Sequence, residues 1–172
     1  DLIFPHHEAE IHQSESCSGK HPFSKYWMHN GFLTIDKEKM SKSLGNFFTI
    51  KEVLAEFPPG TIRFFIVYTH YRSTIDFSEK ALEEAGKARK RLMNTISNVK
   101  HALSEAPDDD NDCGLPELIV QTRDNFINSM DDDFNTREAI GDLFVFSRKV
   151  NSVIADEKPG RSALESVLAF FF

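Results

Sequence analysis

The pattern of apolar and polar positions changes character once along the chain. Up to about Phe48 the apolar residues come in short groups: Leu2-Ile3-Phe4, Tyr26-Trp27-Met28 and Phe32-Leu33-Thr34-Ile35. Groups of that length suit short strands and the loops between them. Residues 1–4 read as the end of a strand or a loop leaving one, and 32–35 as a strand followed by a turn at Asp36-Lys37. Between them, Pro5 opens a helix through about Gln13, because proline suits the first helical position and Glu8 and Glu10 favour its positive end. Residues 14–25, rich in Ser, Gly, Lys and His, read as loop. From Thr49 onward the period becomes helical. Thr49-Ile50-Lys51-Glu52 has capping-box spacing and predicts a helix to about Phe57, stopped by Pro58-Pro59-Gly60. The apolar run from Thr61 to about Tyr71 reads as a buried helix, with a buried strand as the alternative, since periodicity does not separate the two. Leu82, Ala85, Arg89, Leu92, Ile96, Val99 and Leu103 recur every three or four residues and predict a long amphipathic helix over 78–103, capped by Ser78. Three more helices follow: over 116–130, from the Asp131–Thr136 break to about Ile154, and from Ser162 onward. A polar linker covers 104–116 and a turn falls at Pro159-Gly160.

Composition refines this picture in three ways. The chain has 172 residues, 16 of them Phe, enough large side chains for a core in one domain or two small ones. No apolar run approaches the roughly 20 residues that span a bilayer. A net charge of −7 lies wholly in residues 76–172, with 12 Lys and Arg against 19 Asp and Glu. An acidic half argues against indiscriminate nucleic-acid binding while leaving room for a local basic face. Two cysteines, Cys17 and Cys113, lie far apart and read more simply as free thiols in a reducing cytosol, with one disulfide as the alternative. A first residue other than Met and a run of three phenylalanines at the end, a poor free end in water, lead to the expectation of a piece of a longer protein.

Two clusters carry candidate chemistry. Lys39-Met40-Ser41-Lys42-Ser43 places two lysines three apart among small hydroxyl residues, followed by Gly45. Lysine is a compact point charge with three donors, suited to phosphate oxygens, and Ser41 and Ser43 can donate to the same oxygens. Taken alone, a Lys-x-x-Lys turn is more simply a solvated basic loop. The second cluster is Pro5-His6-His7-Glu8-Ala9-Glu10. On a helix His6 and Glu10 share a face, as an i,i+4 pair or cap, or as two ligands of a zinc site that lacks its others. Cys17 is a ligand candidate by residue type only. Trp27 and His29 line a pocket or pack in a core, and Lys87, Lys90 and Arg91 form either a solvated helix face or a contact for a nucleic-acid backbone.

In order and approximate spacing, the His6–Glu10 block, Tyr26-Trp27-Met28-His29, the KMSKS word Lys39–Ser43 with Leu44–Phe48, His70-Tyr71-Arg72-Ser73 and Met130–Thr136 resemble cysteinyl-tRNA synthetase, a class I aminoacyl-tRNA synthetase. The resemblance covers essentially the whole chain. It implies an α/β remnant over 1–48, the C-terminal part of a class I Rossmann catalytic domain, then a connecting, stem-contact-like region over 49–77, then a mainly α helical bundle over 78–172. It implies a cytoplasmic, monomeric ligase that activates cysteine with ATP and Mg2+ and transfers it to tRNA(Cys). Lys42 matches the lysine that contacts the triphosphate, with Lys39 in support, and both would stabilise charge on the leaving pyrophosphate. His6 and Glu10 match two ligands of the family's zinc ion, whose two cysteine ligands are absent from this chain. A borderline-soft metal separates cysteine from serine, which a hydrophobic pocket cannot do. The family's His-x-Gly-His signature is missing too, so the 172 residues alone are expected to be inactive. The rivals are a mycothiol-pathway cysteine ligase, which takes an amino-sugar acceptor, and a non-catalytic helical module that binds tRNA or a protein.

Overall fold

The computed structural model describes residues 2–35, 37–40, 48–109 and 111–172. The expected order holds: a small layer of strands and helices, then a helical bundle. Residues Ile3–His7 form a wide helical turn, broken by extended angles at Phe4, and lead into helix α1, Glu8–Ser18. Here the helix runs past the expected end at Gln13. Ser14–Ser18 continue it, and the stop is the first glycine, Gly19, at φ 65°, whose N–H closes on the Glu15 carbonyl. A left-handed residue at that position costs glycine nothing.

Strand β1, Leu33–Ile35, pairs antiparallel with β2, Glu38–Lys39, and parallel with β3, Ile75–Phe77, giving the order β2-β1-β3. The pattern of the sequence does not reveal β3, because Ile-Asp-Phe is too short to show alternation. Between β2 and β3 lie α2, Ile50–Glu56, and α3, Pro59–Val67, so the β1–β3 crossover is helical, as parallel pairing requires. The predicted capping box is present: the Thr49 hydroxyl accepts from Glu52 N–H, and the Glu52 carboxylate accepts from Thr49 N–H at 2.7 Å. The apolar run after Pro58 is helical, with Pro59 at its start rather than only a stop. It is buried on one face only: Thr61 and Phe65 are buried, while Ile66 and Val67 are exposed.

Helix α4, Glu79–Glu105, joins the two halves. Its Ser78 hydroxyl caps Ala81 N–H at 3.2 Å. At about 1.5 Å per residue it spans roughly 40 Å, long enough to enter two cores. Near its start Leu82 and Ala85 pack with Phe65 of α3. Arg89, one of the positions on the predicted apolar stripe, lays its guanidinium against Gly60, where a Cβ would stand 2.9 Å away. Farther along, Val99 joins Leu115 and Ile119 of α5 (Leu115–Asp131), Phe146 and Val150 of α6 (Thr136–Asp156), and Leu164 and Val167 of α7 (Arg161–Phe170). Phe146, Leu115 and Val99 are completely buried, and each contributes on the order of 2 kcal/mol by leaving water. Phe170 and Phe171 pack their rings on Phe146, with centroids 4.8 and 5.6 Å away, which gives two of the three final phenylalanines a place in the core. Phe172 is exposed, with Lys100 over its ring. The acidic linker after α4 is stitched to the α6–α7 turn: Gly160 N–H donates to Asn111 O and Arg161 N–H to Pro107 O.

Large exposed apolar side chains gather in the first part of the chain, among them Leu2, Ile3, Phe4, Tyr26, Phe32 and Leu33. Among the described residues no helix is long and apolar enough to cross a membrane.

Candidate functional site

The site begins where the wide turn enters α1. Helical spacing puts His6 and Glu10 on one face, with His6 Nε2 and Glu10 Oε1 3.4 Å apart and both side chains about half exposed. His7 is the third member: the ligand atoms of His6, His7 and Glu10 all lie within 4.8 Å of one another, the only such group of three among the described residues. Sequence spacing pairs His6 with Glu10 and passes over His7, although adjacency in a helical turn was the available signal. Cys17 is exposed on α1 and outside this group, and Cys113 lies in the linker, where burial first and the Glu157 carboxylate second push its thiol pKa up.

The His6 and Glu10 atoms fit two of the four positions of a tetrahedral zinc. Two ligands each about 2.1 Å from such an ion stand about 3.4 Å apart, which is the separation of the His6 nitrogen and the Glu10 oxygen. An imidazole and a carboxylate are also zinc's ordinary partners.

Next to these residues lies a platform of rings. His7 Nδ1 is 2.9 Å from His29 Nε2, and the His7 ring lies 5.1 Å from Trp27. Trp27 and His29 stack nearly parallel with centroids 6.1 Å apart, and Phe23 adds a fourth ring. Thus Trp27 and His29 do meet, around His7. The segment that carries them is fixed at both ends. At one end the Glu15 carboxylate accepts Phe23 N–H at 2.8 Å and meets His21, which together hold it below the usual carboxylate range, the backbone bond being the larger cause. At the other end Gly31 N–H donates to Tyr71 O at 2.7 Å.

Two blocks of the sequence far apart along the chain, His70–Ser73 and Met130–Thr136, come together in space. The Tyr71 hydroxyl donates to Asp133 Oδ1 at 2.7 Å, Arg72 Nε reaches Asp133 Oδ2 at 2.9 Å, and His70 Nε2 lies 3.1 Å from Asp133 O. The Tyr71 hydroxyl first, and the Asp133 charge second, raise the Arg72 pKa. Asp133 and Phe134 both have positive φ, 53° and 55°, so this turn adopts a backbone that non-glycine residues rarely take. Asn135 then caps α6 through Glu138 N–H.

Of the predicted lysine pair, Lys39 is the last residue of β2, paired with Thr34 of β1. Lys42, with Ser41 and Ser43, lies outside the described residues. On α4, Lys87 pairs with Glu83 and Arg91 sits over the Phe144 ring at 5.2 Å, so part of that basic face is engaged within the protein.

Comparison with known proteins adds the family. Residues 1–87 match the model of the tRNA synthetases class I (C) catalytic domain, and residues 125–171 match the DALR domain. The chain is 46% identical over 176 residues to a cysteine–tRNA ligase of Thermococcus onnurineus, covering 99% of this chain and 37% of the relative. It is 47% identical over 165 residues to that of Geobacter metallireducens, covering 94% of this chain and 34% of the relative. It therefore spans about a third of the length of these relatives. Among solved structures, a LeuRS–tRNA–LeuAMS ternary complex from Agrobacterium radiobacter aligns with 83% of this chain and 20% of its own, at TM-score 0.67 and 16% identity, a likeness of fold. With its first half inside the class I (C) catalytic model and both relatives matched along almost its whole length, the chain belongs to the cysteinyl-tRNA synthetase family.

Proposed function

We propose that the chain contributes one wall of the active site, and the helical bundle beside it, to a cysteine–tRNA ligase. That enzyme joins cysteine to ATP as the adenylate, releases pyrophosphate, and passes cysteine to the end of tRNA(Cys). The observation that carries this reading is the His6–Glu10 separation of 3.4 Å, the edge of a zinc tetrahedron, in a chain of this family. His6 and Glu10 would hold the zinc ion, with His7 beside them. A bound zinc supplies a partner that prefers the cysteine sulfur to the hydroxyl of serine. The rings of His7, Trp27 and His29 pack against one another beside these residues and would hold the His7 ring in place. Lys42, supported by Lys39, would contact the phosphates of ATP, taken up with Mg2+, and would offset the charge that grows on the leaving pyrophosphate.

In this reading residues 1–48 belong to the catalytic domain, 49–77 connect it, and 78–172 form the bundle; the enzyme works as a monomer in the cytoplasm. The exposed apolar side chains before Ile35 receive the rest of the catalytic domain. The 172 residues alone carry no adenylation activity.

Cysteine-dependent ATP–pyrophosphate exchange tests the reading in the full-length protein. Exchange that falls with His6→Ala or Lys42→Ala supports it, and exchange by the 172 residues alone would contradict the last point. Release of AMP that depends on an amino-sugar acceptor and not on tRNA would assign the chain to a mycothiol-pathway ligase instead.

A further inference from the structure

The carboxylate of Asp76 lies at the centre of β3 and reaches across to the β1–β2 hairpin. Its Oδ1 accepts two hydrogen bonds, from the Thr34 hydroxyl at 2.9 Å and from Lys37 N–H at 2.7 Å. Thr34 is the residue opposite Asp76 in the parallel β1–β3 pair and opposite Lys39 in the antiparallel β1–β2 pair. One carboxylate oxygen therefore ties together the middle of the sheet and the turn. Lys37 has φ 66°, a left-handed backbone that a lysine rarely adopts, so something must hold it. The bond from its own N–H to Asp76 is the visible restraint. The same two contacts, the Lys37 N–H first and the Thr34 hydroxyl second, hold the Asp76 carboxyl below its usual range, so it stays ionised at neutral pH. Two residues after Lys37 the chain reaches Lys39, and β2 ends there.

We infer that Asp76 is a positioning residue for adenylate formation: it holds the Lys37 turn, and through it β2, whose last residue is Lys39, assigned above to the support of the ATP phosphates. The inference rests on the proposed ligase function. Asp76 acts through the backbone it holds, the Lys37 turn and the β2 strand that follows.

Asp76→Ala and Asp76→Asn in the full-length protein separate this role from a general loss of structure. Asparagine keeps an oxygen at the position that accepts both bonds, whereas alanine removes it. Asp76→Ala is expected to reduce ATP–pyrophosphate exchange at least about tenfold through the ATP-dependent terms, because misplacing a reacting group by about 1 Å costs up to roughly a hundredfold. The KM for cysteine stays at the wild-type value, and Asp76→Asn restores most of the exchange. Equal losses for ATP and cysteine, or an asparagine variant as poor as alanine, would overturn the assignment. A wild type without exchange would instead refute the ligase reading. The Lys37 amide then decides about the turn: slow hydrogen exchange in wild type and Asp76→Asn but fast exchange in Asp76→Ala supports Asp76 as its holder, and equal rates in all three overturn it.

Discussion

Gly31→Ala tests whether the ring platform is held by the His70–Ser73 segment. A Cβ built on Gly31 would stand 2.3 Å from the Ser73 carbonyl oxygen and 2.7 Å from that of Arg72. Ordinary contact needs roughly 1 Å more. The obstructing atoms are backbone, so no side-chain rotation relieves the overlap. The two segments must part, which stretches the 2.7 Å bond from Gly31 N–H to Tyr71 O. Overpacking costs about 1–3 kcal/mol and a weakened backbone hydrogen bond about 0.5–1.5 kcal/mol, together about 2–4 kcal/mol. At a few degrees per kcal/mol for a chain of this size, Tm falls by roughly 5–15 °C. Trp27, the single tryptophan, lies four residues away and stacks on His29, so its fluorescence reports on the platform, while far-UV circular dichroism reports on the helices. The Trp27 transition of Gly31→Ala is expected at lower temperature than the dichroism transition. Gly141→Ala is the control: inside α6, with nothing within 4 Å of the added Cβ, it should stabilise by about 0.5–1 kcal/mol. A Gly31→Ala protein that melts like wild type by both probes would refute the reasoning.

Phe146→Ala empties the centre of the bundle beneath Phe170 and Phe171 and should cost about 3–5 kcal/mol in urea unfolding, as a buried Phe truncation does. Asp133→Ala removes the carboxylate shared by Tyr71 and Arg72, so Trp27 and dichroism transitions that coincide in wild type should separate; Asp133→Asn keeps an acceptor for the Tyr71 hydroxyl and should separate them less. Acid should loosen the Trp27 segment in a defined window. Because the folded pKa of Glu15 is depressed, its contribution is complete above the ordinary glutamate range, near 4.3, and disappears as pH falls through the lowered folded value. Trp27 emission should then change with a midpoint below that range in wild type, and Glu15→Ala should show the altered emission already at pH 7.

The helices are legible in the sequence because their signals are local. Thr49 and Ser78 cap the helices they are expected to cap, and of the three-four stripe of α4 Leu82, Ala85, Ile96 and Val99 are buried, Arg89 and Leu92 only half-buried, with Ala88 and Thr95 buried beside them. His6 and Glu10 are legible for the same reason, since four residues on a helix make neighbours. What the sequence conceals depends on distant partners. Strand β3 exists because β1 lies beside it, and no window of three residues contains that fact. The clasp of Tyr71 and Arg72 on Asp133 joins side chains 62 and 61 positions apart, with His70 closing on the carbonyl of the same residue. Residues 104–116 read only as a polar linker, yet the segment closes on Gly160, where a Cβ would meet Asp109 O at 2.3 Å.

These long-range bonds converge on one short stretch, residues 70–77. Tyr71 O receives Gly31 N–H and so fixes the segment that carries His29 and Trp27. Tyr71 and Arg72 hold Asp133 and so fix the start of α6 in the bundle. Asp76 holds Lys37 and so fixes the turn from β1 into β2. The first layer of the protein buries little apolar surface of its own, with Ile35 its one fully buried large side chain before Phe65 among the described residues. A layer that thin gains order by being bonded to a part that has a core, and α4 and the 70–77 stretch are the two covalent and polar routes to one. Breaking a hydrogen bond made by 70–77 should therefore affect the Trp27–His29 segment, the Lys37 turn or the start of α6 before the bundle core. Hollowing the bundle core, as Phe146→Ala does, instead lowers overall stability without changing the order in which the Trp27 and helix signals melt. That difference in order, measured on the two classes of variant in one experiment, separates a coupling element from a merely stable one.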